Sequence, residues 1–163
     1  MQKGGKKMEV RHVKKEEVKD LYQLIKELAD YLGDEIFMTE EELEKALFEE
    51  KSCYALLAFK DNKPQGYALY YYTFSTVTGK KGIYLLDLYV RKEARRFGLG
   101  KALFKGLAKV AKEKDCCRID WDCLKWNTSS IDFYHSLGAS VRDDHDFFRL
   151  EDQQIDHLVS ESK

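Results

Sequence analysis

Neither sign of charge prevails in this chain: 28 lysines and arginines stand against 29 aspartates and glutamates. Such a balance gives no overall pull toward nucleic acid or an anionic membrane, so any anion site must be local. Long apolar runs are missing too. The most apolar stretch, YALYYYTF (Tyr67 to Phe74), is far too short to cross a bilayer and has the aromatic content of a strand. No apolar segment follows the basic start MQKGGKK, so residues 1–8 read as a frayed tail and not as a secretory signal or membrane anchor. The four cysteines, Cys53, Cys116, Cys117 and Cys123, lack C-x-x-C spacing and paired histidine ligands. Zinc is therefore not expected, and reduced thiols in a soluble, cytoplasmic protein are. His135, His145 and His157 have no mutual spacing suited to a metal, and DDHD (Asp143 to Asp146) reads as a polar turn. Repeats, linkers and low-complexity segments are absent.

What is present is enough for one core. At 163 residues and 44% hydrophobic, the chain is expected to form a single α+β domain over residues 9–163. EVRHVKK opens as a short strand. In EEVKDLYQLIKELADYLG, the positions Val18, Leu21, Leu24, Ile25, Leu28 and Leu32 fall at helical spacing before a glycine stop at Gly33. Thr39 followed by Glu42 forms a capping box ahead of a second helix with Leu43, Ala46 and Leu47 on its apolar stripe. A hairpin is expected around Asp61 to Gly66, and GIYLLDLYV (Gly82 to Val90) adds a third strand to that meander. CCRIDWDCLKW reads as a strand, NTSSIDFYHSLGA as a short helix and SVRDDHDFFRLE as a last strand. The expected order is β-α-α-β-β-β-α-β-α-β, a mixed and mostly antiparallel layer architecture.

Between the third meander strand and the next helix lies ARRFGLGKALF (Ala94 to Phe104). The helix it opens carries Leu99, Leu103, Leu107 and Val110 on one face, with Lys101, Lys105, Lys109 and Lys112 largely elsewhere. A Walker loop would need glycine where Arg95 stands and a hydroxyl where Ala102 stands. A dinucleotide fingerprint would need a third glycine in place of Leu103. What remains is R-x-x-G-x-G opening a helix, where glycines let backbone N–H groups approach an anion and the helix N-terminus adds partial positive charge.

Arg95-Arg96-Phe97-Gly98-Leu99-Gly100, the strand before it, the helix after it and WNTSSIDFYHSLGA near the C-terminus together resemble the GNAT superfamily of N-acetyltransferases. LIKELADY, YALYYYTFST and IYLLDLYV narrow the resemblance to its diamine acetyltransferases, the spermidine/spermine and thialysine group, over Val10 to Leu150. That resemblance implies a GNAT fold, acetyl-CoA as the donor, no metal, a small-molecule amine as acceptor and a homodimer. It assigns backbone groups of Leu88, Tyr89 and Val90 to the pantetheine arm, and Arg95, Arg96, Phe97, Gly98, Leu99, Gly100 and Lys101 to the pyrophosphate. Asn127, Thr128, Ser129 and Ser130 form a second wall for the donor. Tyr134 matches the family's proton donor.

The chemistry agrees. A backbone N–H near Leu88 is placed to hold a carbonyl oxygen as it gains charge. A phenol near pKa ~10 against a thiol near ~8.5 makes full proton transfer slightly uphill in water, so Tyr134 is expected to act by a hydrogen bond that strengthens as sulfur gains charge. The acceptor amine must also lose a proton. Asp120 and Asp122, two apart on a strand, project to one face with Trp121 between them, and either a cation site or a solvated strand edge fits that pattern. Asp87 is a further acidic candidate. Relative to the polyamine pattern, three carboxylates are replaced by Leu86, Leu32 and Ser75, while Tyr31 and Asp146 still match pocket positions. A short or lysine-like amine is therefore favoured over a long polyamine. Two alternatives remain: acetylation of protein lysines or N-termini, and a non-catalytic acyl-CoA-binding module.

Overall fold

The computed structural model describes residues 7–161, so the first six residues of the expected basic tail lie outside the described residues. Two compact units divide the chain, Met1–Asp122 and Cys123–Lys163. In the first, five strands lie side by side in chain order: β1 (Met8–His12), β2 (Tyr54–Lys60), β3 (Lys63–Ser75), β4 (Lys80–Val90) and β5 (Ile119–Asp120). The first four are antiparallel neighbours and β5 joins β4 in parallel.

Helix α1 (Val18–Leu32) forms where its apolar spacing predicts and ends at Gly33, whose φ of +78° is the left-handed cap conformation that glycine adopts freely. The capping box of α2 (Glu40–Phe48) is realised: Thr39 Oγ1 accepts from Glu42 N–H at 3.2 Å, and Glu42 Oε2 accepts from Thr39 N–H at 2.8 Å. Both helices cover one face of the sheet, where Val18, Leu21, Leu24 and Leu43 pack with Leu57, Tyr67 and Leu69. Helix α3 (Leu99–Glu113) covers the opposite face, setting Leu99, Leu103 and Leu107 against Leu56, Tyr70 and Leu85. It approaches closely at Gly106, where a Cβ would stand 3.0 Å from both Leu56 Cδ1 and Val10 Cγ1. Leu103 is fully buried, so Leu103→Ala should cost about 2–5 kcal/mol of stability, measured by denaturant unfolding.

Three local expectations need correction. The β2–β3 turn is only Asp61 and Asn62, with φ of 52° and 61°, a tight hairpin turn that Asp and Asn tolerate; residues 63–66 already belong to β3. Pro64 is accommodated because the β2–β3 register shifts beside its partner Phe59. Strand β5 has only two residues. Among the described residues, 140–151 form no strand: Arg142 turns back on Asp144 at 2.8 and 3.1 Å, and short-range pairing of that kind competes with a ladder.

The second unit holds α4 (Thr128–Ser136) and α5 (Asp152–Ser160). Helix α5 was not foreseen from the sequence, although Glu151 and Gln154 form a box at its start, with Glu151 N–H donating to Gln154 Oε1 at 3.1 Å.

Candidate active site

The glycine turn leaves β4 through a 3-10 segment, Lys92–Phe97, and enters α3 at Gly98, which has φ +78° and ψ 16°. No side chain caps that end, and the first turn contains no acidic residue. The opening N–H groups of a helix have no partner inside it, so this end of α3 offers donors and a positive dipole to an anion. A Cβ built at Gly98 would meet no protein atom within 4 Å. The arrangement fits a pyrophosphate: uncapped amides, an open position in front of the turn, exposed Arg96 and Lys101, and buried Leu99 anchoring the helix beneath.

Arg95 has an internal task. Its Nε donates to the Val90 carbonyl at 2.8 Å, and its guanidinium carbon lies 5.7 Å from the centre of the Tyr31 ring. Tyr31 thus sits beside the head of the turn. Phe97 carries the Lys60 ammonium 3.1 Å from its ring centre.

Upstream, a bulge in the β3–β4 pairing sets Leu69 opposite Asp87 and Tyr70 opposite Leu85, leaving Leu86 unpaired and 56% exposed. Beyond Tyr84, β4 is not paired with β5 in this sheet. Arg91 N–H bonds inward to the Gln65 carbonyl at 2.8 Å, so strand alternation turns the backbone groups of Val90 and Leu88 outward, to the unpaired edge. Tyr89 points its ring toward the α1 face, 6.5 Å from Tyr67.

On that face β4 also presents carboxylate chemistry. Tyr67 Oη donates to Asp87 Oδ2 at 3.1 Å, and Tyr84 Oη donates to Asp122 Oδ2 at 2.5 Å. Burial pushes the Asp87 carboxyl up from its ordinary value, the Tyr67 hydrogen bond opposes that, and the Asp122 charge adds to it. Burial also raises the Tyr84 phenol, aided by its hydrogen bond to Asp122. Tyr71 stacks on Tyr84 with ring centres 5.3 Å apart. Asp120 is paired with Arg118 at 2.7 Å, and Trp121 turns to the other face, edge-on to Phe104 at 5.1 Å. Sequence reasoning treated Asp120 and Asp122 alike and passed over Tyr84, which only the register of β4 beside β5 brings to Asp122. Of the three positions lacking an acid, Ser75 is buried and accepts from Thr78 N–H at 3.3 Å inside the β3–β4 turn. Leu32 is half-buried at the end of α1.

In the second unit, Asn127 caps α4: its Oδ1 accepts from Ser130 N–H and Ser129 Oγ, both at 3.4 Å. Thr128 is exposed at the helix start, and Tyr134 is partly buried on the last turn beside Phe133, ring centres 5.7 Å apart. Asp146 is exposed in the irregular 140–151 stretch. No group of three or more His, Cys, Asp or Glu side chains among the described residues is placed to hold a metal ion. None of the described helices is long and apolar enough to cross a membrane.

A sheet with a bulged strand that leads through a glycine turn into an uncapped helix is the fold of the GNAT acetyltransferases. The chain belongs to the acetyltransferase (GNAT) family, whose model matches residues 18–139. It is 34% identical over 134 residues to a thialysine N-epsilon-acetyltransferase of Caenorhabditis elegans, covering 81% of this chain and 82% of that protein. A Bos taurus protein of the same name is 36% identical over 141 residues, covering 80% and 82%. Among solved structures, an integron cassette protein from the mobile metagenome of V. cholerae superposes with a TM-score of 0.82 at 28% identity, over 96% of this chain and 100% of that one.

Proposed function

We propose that the chain transfers the acetyl group of acetyl-CoA to a primary amine of a small lysine-like or diamine substrate, by direct attack of the amine. The observation that carries this reading is the uncapped N-terminus of α3 behind Gly98, next to the outward-facing edge of β4, in a chain of the GNAT family. Bound acetyl-CoA would supply an acetyl group activated as a thioester. Backbone groups of Leu88 and Val90 receive the pantetheine arm, though the Val90 carbonyl is already engaged by Arg95. The Leu88 N–H donates to the carbonyl oxygen as charge develops there. Amides of Leu99, Gly100 and Lys101 hold the pyrophosphate, with Arg96 adding charge at the rim. By resemblance, Asn127, Thr128, Ser129 and Ser130 are donor-binding residues, and Tyr134 is the hydrogen-bond donor to the departing sulfur.

Asp122 and Asp87 are the carboxylates of the amine site. Asp122, exposed and held by Tyr84, binds the acceptor ammonium, and Asp87, whose carboxyl is raised by burial, is suited to pass its proton to water. Asp120 and Trp121, by their place on the expected strand, and Tyr31 and Asp146, by resemblance, are the further residues assigned to the acceptor. The names of the relatives favour a lysine-like acceptor, and the missing acids at Leu86, Leu32 and Ser75 point the same way. Residues 9–163 act as one N-acetyltransferase domain of a cytoplasmic protein, the reading from length and cysteine usage, and by resemblance the protein is a homodimer. The family model supports the single domain, because its match runs across the boundary at Asp122.

The test is thiol release from acetyl-CoA with putrescine, spermidine, lysine, thialysine and a short basic peptide. A small amine should give the highest kcat/KM; release with the peptide alone would replace this reading with protein acetylation. Asp122→Asn should raise the amine KM about tenfold with the acetyl-CoA KM unchanged, since a charge-assisted hydrogen bond is worth ~1.5–3 kcal/mol.

A further inference from the structure

We infer that Glu27, which touches neither donor nor acceptor in the reading above, is a positioning residue that sets acetyl-CoA affinity by holding Arg91 at the junction between β4 and the glycine turn. The inference rests on the acetyl-CoA reading of that turn. Glu27 projects from α1 and meets Arg91 as a fork: Arg91 Nε donates to Oε2 at 2.9 Å and Nη2 to Oε1 at 2.8 Å. Tyr89 Oη reaches the same carboxylate at 3.4 Å. Both partners are about three-quarters shielded, with side-chain exposures of 27% for Arg91 and 25% for Glu27. The Glu27 carboxyl is held below its ordinary range, first by the Arg91 hydrogen bond and against the opposing effect of burial.

Arg91 is the residue immediately after β4, and its other bonds converge on the same point. Its Nη1 donates to the Pro64 carbonyl at 3.1 Å, its backbone N–H donates to the Gln65 carbonyl at 2.8 Å, and its own carbonyl accepts from Ala94 N–H at 2.8 Å. Arg95 then closes back on the Val90 carbonyl. Between the outward-facing Leu88 and Val90 and the amides behind Gly98, the path is therefore fixed twice: at Arg91 against α1 and β3, and at Arg95 against β4. A planar guanidinium held bidentately fixes orientation as well as position, which a lysine in its place would not do. Loss of the Glu27 carboxylate leaves Arg91 with one carbonyl partner and frees the junction to shift. The pantetheine edge and the pyrophosphate amides must be in register to hold one donor, and shifts of about an ångström in such positioning elements cost large factors.

The experiment compares wild type with Glu27→Gln, Arg91→Lys and the swapped pair Glu27→Arg with Arg91→Glu. It reads acetyl-CoA affinity by calorimetry, the KM values for acetyl-CoA and amine, and the thermal midpoint. Glu27→Gln and Arg91→Lys should each weaken acetyl-CoA about tenfold, with the amine KM unchanged, and the swapped pair should recover part of that loss. A lowered midpoint with acetyl-CoA affinity within twofold of wild type would make the pair a plain structural strut and overturn the inference alone. Wild-type protein that does not bind acetyl-CoA would overturn the reading of the turn and this inference with it.

Discussion

Tyr134→Phe is expected to lower turnover by about two to three orders of magnitude while leaving acetyl-CoA affinity within a factor of about two. The change deletes one hydroxyl and keeps the ring that lies beside Phe133 on α4, so packing and helix are retained. In the proposed mechanism, what it removes is the donor to a sulfur gaining negative charge. A phenol is a weaker acid than the thiol being formed, so its contribution grows only as the carbon–sulfur bond breaks. The loss should therefore fall on kcat and spare the KM for either substrate. Steady-state kinetics beside calorimetry, with the thermal midpoint as a folding control, reads both quantities. Unchanged turnover would remove Tyr134 from the mechanism.

The second large effect is expected at Gly98. Its φ of +78° is strained for any β-branched side chain, and the cost of such a residue there is ~1–3 kcal/mol. Since an added Cβ meets no protein atom within 4 Å, Gly98→Val should act through the backbone and by standing in the space the anion needs, and not by disturbing the core. Acetyl-CoA affinity is expected to fall by at least about tenfold. Gly33 offers a matched control, since it too has φ +78° and open space around a built Cβ, but it caps α1. Gly33→Val should lower the thermal midpoint without a comparable loss of affinity. Wild-type affinity in Gly98→Val by calorimetry would refute the cradle.

Features encoded by neighbours in the chain were legible. The Gly33 stop, the Thr39 and Glu42 box and the α3 stripe are short-range patterns whose physics is complete within one or two turns of helix. The glycine turn belongs to the same class, because its glycines, its uncapped amides and the helix start are all local. Less legible were features that depend on competition or register. Residues 140–151 contain apolar side chains, but Phe147 and Phe148 are adjacent and do not alternate, and Arg142 satisfies itself on Asp144. Helix α5 could have been found from the Glu151 and Gln154 box ahead of Ile155, Leu158 and Val159, a spacing overshadowed by the strand reading before it.

Within the site, residue types were readable and partners were not. Arg95 looks in sequence like a phosphate ligand, yet its Nε is spent on Val90, a contact made only because the turn folds back on β4. Asp120 and Asp122 have the same spacing argument but separate fates: Arg118 neutralises one, and Tyr84, brought by the parallel β4–β5 pair, holds the other. Glu27 and Arg91 are 64 positions apart, and nothing local pairs them.

The most direct test of the central claim is a comparison of kcat/KM for thialysine, lysine and spermine at saturating acetyl-CoA, with thiol release followed continuously and the acetylated product identified by mass spectrometry. The account predicts that a lysine-like amine is acetylated on its side-chain nitrogen with kcat/KM at least about tenfold above that of spermine, a ratio within reach of a few differential contacts. Preference for spermine, or no acetylated product from any small amine, would contradict it.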